Sequence, residues 1–365
     1  MKKLFFQIVA LCLRYYAQAV LAVKKPQIIA ITGSVAKSTT KEAIYSVLKE
    51  KFGKKVGKSE GNLNTEIGVP LAILRFRKSP PSYFLPAILF VALVKLLLVL
   101  LSSQYPKILI LELAADKPGD IAYFRKFIHP RVAIITLIGP AHLAAFKTQE
   151  AVAKEKGRLI EGLDNSDVVL LNQLDPWSTS LRQRTKAKVV YFVPKNNNIP
   201  FAVASLVGKI FQLSPQEIEK GREKMKFLPG RMNIVKGKNE SLIIDDAYNA
   251  NPLSVEFALN YLVDYCKKHS LKRKIVVLGD MLELGDYSKT AHQSVGKKAA
   301  EKADILLATG SYGKIIAEAG GGQYFETKEQ LIQFLQKIVK KGDIILIKAS
   351  RKMKFEEIVS ALTKS

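Results

Sequence analysis

Nine short apolar runs recur along the chain, at residues 27–32, 107–113, 132–138, 168–171, 188–192, 242–245, 274–278, 305–308 and 343–348, with helical stretches between many of them. Strands that alternate with helices pair mostly in parallel, because each crossover helix carries the chain back to start the next strand in the same direction. The predicted fold class is therefore α/β, with largely parallel sheets flanked by helices. A fresh β/α series follows Leu228-Pro229-Gly230, and Pro-Gly punctuates, so a domain boundary is expected there. The expected organisation is an N-terminal helix over 1–26, a central domain over 27–228 and a C-terminal domain over 229–365. With 48% apolar residues and no low-complexity tract, the 365 residues can build such cores, which excludes general disorder. Only Cys12 and Cys266 occur, which excludes a disulfide scaffold and favours a reducing compartment.

The formal charge is +25, and its distribution is uneven. Residues 1–28 carry five basic and no acidic side chains, and so do residues 67–111. Both stretches are also strongly apolar, and basic charge beside apolar surface points to a membrane face rather than to nucleic acid. Residues 3–23 read as one helix whose polar positions Lys3, Gln7, Arg14, Gln18 and Lys25 form a narrow stripe. Ala17-Gln18-Ala19 resembles a signal-peptide cleavage site, but a phosphate-loop sequence follows closely, and that chemistry belongs in the cytosol. Within residues 83–101, 17 of 19 are apolar; from Ala87 onward a helix reaches only about 22 Å against a hydrocarbon core of about 30 Å. Peripheral membrane contact through 1–26 and 80–104 is the expectation, with a helix buried against its own domain or a partner chain as the alternative.

The first strand runs into Thr32-Gly33-Ser34-Val35-Ala36-Lys37-Ser38-Thr39-Thr40-Lys41 and then a helix. Such a turn aims backbone amides and a helix N-terminus at phosphate, Lys37 adds a point charge, and the Ser38 hydroxyl suits Mg²⁺. Gly33, Ser34, Ala36, Lys37, Ser38 and Thr39 are the candidate nucleotide-binding residues. Ala36 stands where glycine usually precedes the lysine, and an ordinary strand–helix turn is the competing reading.

Further strings follow in order: Glu60-Gly61-Asn62-Leu63-Asn64-Thr65-Glu66, Leu111-Glu112-Leu113, Gly139-Pro140-Ala141-His142-Leu143 and Ala153-Lys154-Glu155-Lys156-Gly157. After these come Leu228-Pro229-Gly230-Arg231, Asp245-Asp246-Ala247-Tyr248-Asn249-Ala250-Asn251-Pro252, Gly279-Asp280-Met281-Leu282-Glu283-Leu284-Gly285 and Lys348-Ala349-Ser350-Arg351. In this set, over about residues 27–360, the sequence resembles the Mur ligases, the ATP-dependent amide ligases of peptidoglycan synthesis. The Tyr-Asn-Ala-Asn-Pro and Gly-Asp-Met-Leu-Glu-Leu-Gly strings look most like the branch that adds D-alanyl-D-alanine to a UDP-muramoyl-tripeptide.

The resemblance implies ATP and Mg²⁺ as cofactors, with Lys37 at the β/γ-phosphates and Ser38, Glu112 and His142 at metal. Lys156 matches a lysine carbamylated in related ligases, which would make it a further metal ligand; Lys154 is its rival. Arg231, Asp246, Asn249 and Asn251 are implied to contact the nucleotide. Asn62, Asn64 and Thr65 are implied to contact the muramoyl-peptide, and Lys348, Ser350 and Arg351 the carboxylate of the incoming dipeptide. No nucleic-acid partner is expected, and the expected location is the cytoplasm, with peripheral association at the membrane. The sequence departs from the family in three places: about 26 residues precede the first strand, too few for the uridine-binding domain of the relatives; residues 74–107 hold a long apolar insertion; and Ala144 replaces an acid after His-Leu. A ligase for a different acidic acceptor and a non-catalytic membrane-associated scaffold are the competing functions.

Overall fold

The computed structural model describes residues 2–78, 85–194, 198–271 and 273–363. It divides into two units, one formed by residues 1–138 and 150–225, the other by 139–149 and 226–365.

In the first unit a six-stranded sheet is formed by β1 (Gln27–Thr32), β2 (Val56–Lys58), β3 (Ile108–Glu112), β4 (Val132–Ile135), β5 (Val168–Asn172) and β6 (Lys188–Phe192). Their order is β2-β3-β1-β4-β5-β6, and every pairing is parallel. β1, β3, β4 and β5 are near-continuous runs of Ile, Leu, Val and Ala buried on both faces, as helices covering both sides of a parallel sheet require. β1 lies between β3 and β4, so the chain reverses its direction of winding there. The carboxyl ends of strands at such a switch point form the crevice where open α/β sheets bind ligands.

The N-terminal helix Lys2–Lys24 and the apolar helix Leu85–Leu101 pack on one another in this unit. Both segments are helical, as their sequences predict. Residues 80–84 of the expected insertion lie outside the described residues.

The second unit holds β7 (Asn233–Lys236), β8 (Leu242–Asp245), β9 (Arg273–Leu278), β10 (Ile305–Thr309), β11 (Gln323–Phe325) and β12 (Asp343–Lys348) in the order β11-β10-β9-β12-β8-β7. Only β7 runs antiparallel to its neighbour. Alternate residues of one strand enter different cores: Ile244, Val276, Leu306 and Ile344 on one face, Ile243, Ile275, Leu307 and Ile345 on the other.

Candidate functional site

In the first unit the loop after β1 is held against β4. Gly33 adopts φ +148°, and a β-carbon there would lie 1.9 Å from Thr136 Oγ1, so only glycine permits the approach. Thr136 Oγ1 donates to the Val35 carbonyl at 2.7 Å, and the Ser34 amide donates to the Leu137 carbonyl at 2.8 Å. Ala36 is left-handed, at φ 61° and ψ 5°, and helix Lys37–Phe52 starts directly after it. No acidic residue lies in the first turn of that helix, so its amides and macrodipole present positive potential at the loop. Lys37 Nζ donates back to the Gly33 carbonyl at 2.8 Å, which folds the ammonium across the loop.

The register of β1 with β3 sets Ile31 beside Glu112, bringing the carboxylate to the mouth of the loop. Ser38 Oγ donates to Glu112 Oε2 at 2.7 Å, and Asn64 Nδ2 donates to Oε1 at 3.0 Å. Lys41 Nζ lies 3.4 Å from the same carboxylate and also donates to the Gly61 carbonyl at 3.4 Å. Ser38, Lys41 and Glu112 are buried. Lys41 thus anchors the 60–66 loop to the phosphate-loop helix, and the loop is braced internally: the Asn64 amide donates to the Asn62 carbonyl, and Thr65 Oγ1 accepts from the Gly68 amide at 3.2 Å.

Lys156, near the end of helix Gln149–Gly157, is only 1% exposed, whereas Lys154 is exposed. Burial first, and the charge of Lys37 second, push its ammonium down to about 7. A buried lysine with a large neutral fraction near pH 7 presents a nucleophilic amine, the form that takes up carbon dioxide.

The second unit gathers a different set. The Lys348 ammonium, buried at the end of β12, pairs with Asp246 and donates to the Asn249 carbonyl at 2.8 Å. Asp246 Oδ1 accepts from the Met232 amide at 3.1 Å, and Asp245 Oδ2 from the Gly230 amide at 2.7 Å; together they pin the Pro-Gly turn to the end of β8. Tyr248 is approached by two guanidinium groups, Arg231 at 3.9 Å and Arg351 at 5.1 Å from its ring centre. Asn251 caps helix Pro252–His269 by accepting from the Ser254 amide at 2.8 Å, and Asn249 Oδ1 accepts from the Ala250 amide at 2.9 Å. Ser350 Oγ accepts from the Leu282 amide at 2.8 Å. His142 Nδ1 sits 2.7 Å from the Glu283 carboxylate, and that hydrogen bond holds the Glu283 carboxyl below its ordinary range.

The structure therefore brings Ser38, Asn64 and Glu112 together in one unit, and Arg231, Asp246, Asn249, Lys348 and Arg351 together in the other. It adds Lys41, Thr136, Tyr248 and Glu283, which sequence reasoning did not single out. Lys41 stood four residues after Lys37, on one face of the same helix, and that spacing was its only signal. The Ser38–Glu112 pair is all-oxygen, the donor chemistry Mg²⁺ accepts alongside waters and phosphate, so these residues fit the ion. An imidazole such as His142 suits it less well.

Residues 31–85 and 91–235 match the model of the Mur ligase middle domain, and residues 230–351 match that of the Mur ligase glutamate ligase domain. The Bacillus subtilis (strain 168) protein named UDP-N-acetylmuramoyl-tripeptide–D-alanyl-D-alanine ligase is 29% identical over 97% of this chain and 79% of its own length. A protein of the same name from Haemophilus influenzae is 26% identical over 92% of this chain and 77% of its own length. Among solved structures, MurF ligase from Thermotoga maritima in complex with ADP is 26% identical, with a TM-score of 0.78 over 96% of this chain and 83% of that one. MurF from Acinetobacter baumannii, at 24% identity, shares the fold with a TM-score of 0.80 over 96% of this chain and 80% of its own. Because the middle-domain match alone spans more than half of the residues and the glutamate ligase match follows it, the chain belongs to the Mur ligase family.

Proposed function

We propose that the chain is an ATP-dependent amide ligase that joins D-alanyl-D-alanine to UDP-N-acetylmuramoyl-tripeptide through an acyl phosphate. The observation that carries this is the alignment of relatives named for that reaction across 97% and 92% of the chain. The phosphate loop and the Ser38–Glu112 pair lie inside the aligned region and supply the chemistry the reaction needs.

In this reading the amides of the 33–39 loop and Lys37 take the β/γ-phosphates of ATP. Ser38 and Glu112, joined by Lys156 as its carbamate, would hold Mg²⁺, and Glu283 fixes the orientation of the His142 ring. Bound Mg²⁺ neutralises charge on the transferring phosphoryl group. The terminal carboxylate of the tripeptide attacks the γ-phosphorus, ADP leaves, and Lys37 stabilises the spreading negative charge. The dipeptide amine then attacks the activated carbonyl, and phosphate is expelled from the tetrahedral intermediate. Asn62, Asn64 and Thr65 face the muramoyl-peptide. Asp246, Asn249, Asn251 and Arg231 face the nucleotide. Buried Lys348 holds Asp246 in place, and Arg351 offers a guanidinium fork to the dipeptide carboxylate.

The test is phosphate release from ATP by the purified protein with UDP-N-acetylmuramoyl-tripeptide and D-alanyl-D-alanine, beside a panel of other amines. The proposal expects release only with both substrates, falling by about 10²-fold or more in Lys37→Ala. Release with a different amine instead, or equal turnover in Lys37→Ala, overturns it.

A further inference from the structure

Seventeen large apolar side chains are exposed among the described residues, and twelve of them lie on just two helices, Lys2–Lys24 and Leu85–Leu101. The first helix buries Val9, Leu13, Ala17 and Val20 and turns a second stripe, Leu4, Ile8, Leu11 and Tyr15, to solvent. The other buries Ile88, Ala92, Leu96 and Val99 and exposes Phe90, Leu93, Leu97 and Leu101, with Phe90 72% and Leu101 85% exposed. A helix that carries large apolar side chains on its outer face as well as on its packed face is matched to apolar surroundings on both sides. In this chain half of that surrounding is absent from the fold.

The charged side chains on the two segments that carry this face are all basic. Lys24 Nζ donates to the carbonyls of Leu100 and Ser102 at 2.9 and 2.7 Å, which joins the carboxyl ends of the two helices. The Gln27 amide donates to the Lys107 carbonyl at 2.8 Å, so exposed Lys25 and Lys107 come to the same end. Arg75 and Pro106, the residue before Lys107, both lie close to Gly57. The result is a basic collar of Lys24, Lys25, Arg75 and Lys107 at one edge of an apolar face, and residues 1–28 and 67–111 contain no carboxylate to offset it. A protein partner that covers the stripe would also have to be acidic opposite the collar. A mainly apolar exposed stripe, interrupted on the first helix by Gln7, beside a purely cationic edge instead complements acyl chains below anionic headgroups.

We infer that this face docks on an anionic lipid bilayer, with both helices lying in the interface plane. Each helix packs one stripe against protein, and the Tyr123 hydroxyl donates to the Ala10 carbonyl at 3.0 Å, tying the first helix flat to the sheet unit. The second helix, 17 residues long, reaches about 25 Å, short of the roughly 30 Å a span requires. The exposed stripes enter the headgroup–acyl boundary, and the collar meets lipid phosphate.

The full chain, mixed with vesicles of phosphatidylcholine containing about 30% phosphatidylglycerol in about 0.1 M salt, tests this in a flotation assay. The protein is expected to float with these vesicles and much less with pure phosphatidylcholine. Phe90→Glu combined with Leu97→Glu is expected to weaken binding tenfold or more, and Lys25→Glu with Lys107→Glu to remove the preference for anionic lipid. Circular dichroism and a thermal melt show that the variants are folded, so the outcome does not depend on ligase activity. Failure to float, or flotation unchanged in Phe90→Glu/Leu97→Glu, overturns the inference. So does a stable dimer in sedimentation velocity that the same pair of substitutions dissolves, and so does release from vesicles by detergent alone, which is the behaviour of a spanning helix.

Discussion

Lys156 and Ala36 carry the two sharpest consequences at the scale of single residues. With an ordinary lysine value near 10.5 and a folded value of about 7, the unfolded chain binds more protons than the folded one throughout that interval. Stability therefore rises with pH across it, and the neutral amine that forms a carbamate becomes dominant above about pH 7. Protein equilibrated with ¹³C-bicarbonate is expected to show a carbamate resonance at about pH 8 that shrinks at about pH 6 and is missing in Lys156→Ala. An unchanged signal in that variant removes the role. Ala36 holds a left-handed conformation that costs an L-residue about 1–2 kcal/mol. Ala36→Gly is thus expected to keep full nucleotide affinity and to leave the melting temperature unchanged or a few degrees higher, glycine's extra unfolded-state entropy offsetting part of the relief. Much of the site was readable because Lys37 and Ser38 sit in a local string whose chemistry depends on neighbours in sequence. Lys41 and Thr136 were not, because their partners, Glu112 and Val35, lie 71 and 101 residues away and meet them only through strand register.

At the level of elements, the helix Pro252–His269 is opened by a reciprocal capping box between Asn251 and Ser254. Asn251→Ala is expected to cost about 1 kcal/mol in denaturant unfolding, while Asn251→Ser, an equally good cap, keeps stability. If Asn251 also faces the adenine, Asn251→Ser binds ATP several-fold more weakly at unchanged stability, and titration calorimetry separates the two roles. The nine strands read from sequence are all present, and the three that were not, β2, β7 and β11, share a physical reason. Each lies at a sheet edge and is three or four residues long; β7 is only partly buried and β11 is largely open to solvent. An edge strand that short need not carry the apolar run that marks a central one. The central strands are legible because burial on both faces writes Ile, Leu and Val at nearly every position.

For the whole molecule, the +25 charge acts on a reaction two of whose proposed substrates, ATP and a UDP-linked peptide acid, are anions. Summed positive potential raises the encounter rate of such ligands but adds nothing to the barrier once they are bound. Salt should therefore separate the two. As ionic strength rises from about 20 mM to about 500 mM, the screening length falls from roughly 20 Å to about 4 Å, and attraction beyond contact range vanishes. Initial rates of phosphate release, measured with Mg²⁺ in excess, are expected to show kcat/KM for the nucleotide sugar falling by about tenfold or more, with kcat changing far less. A parallel fall in kcat would mean that salt acts on the chemical groups themselves, such as the Ser38–Glu112–Lys41 cluster. Were kcat/KM flat, the cationic excess would have no part in capturing substrate, and the basic surface would be left to the lipid-facing edge near Lys25 and Lys107.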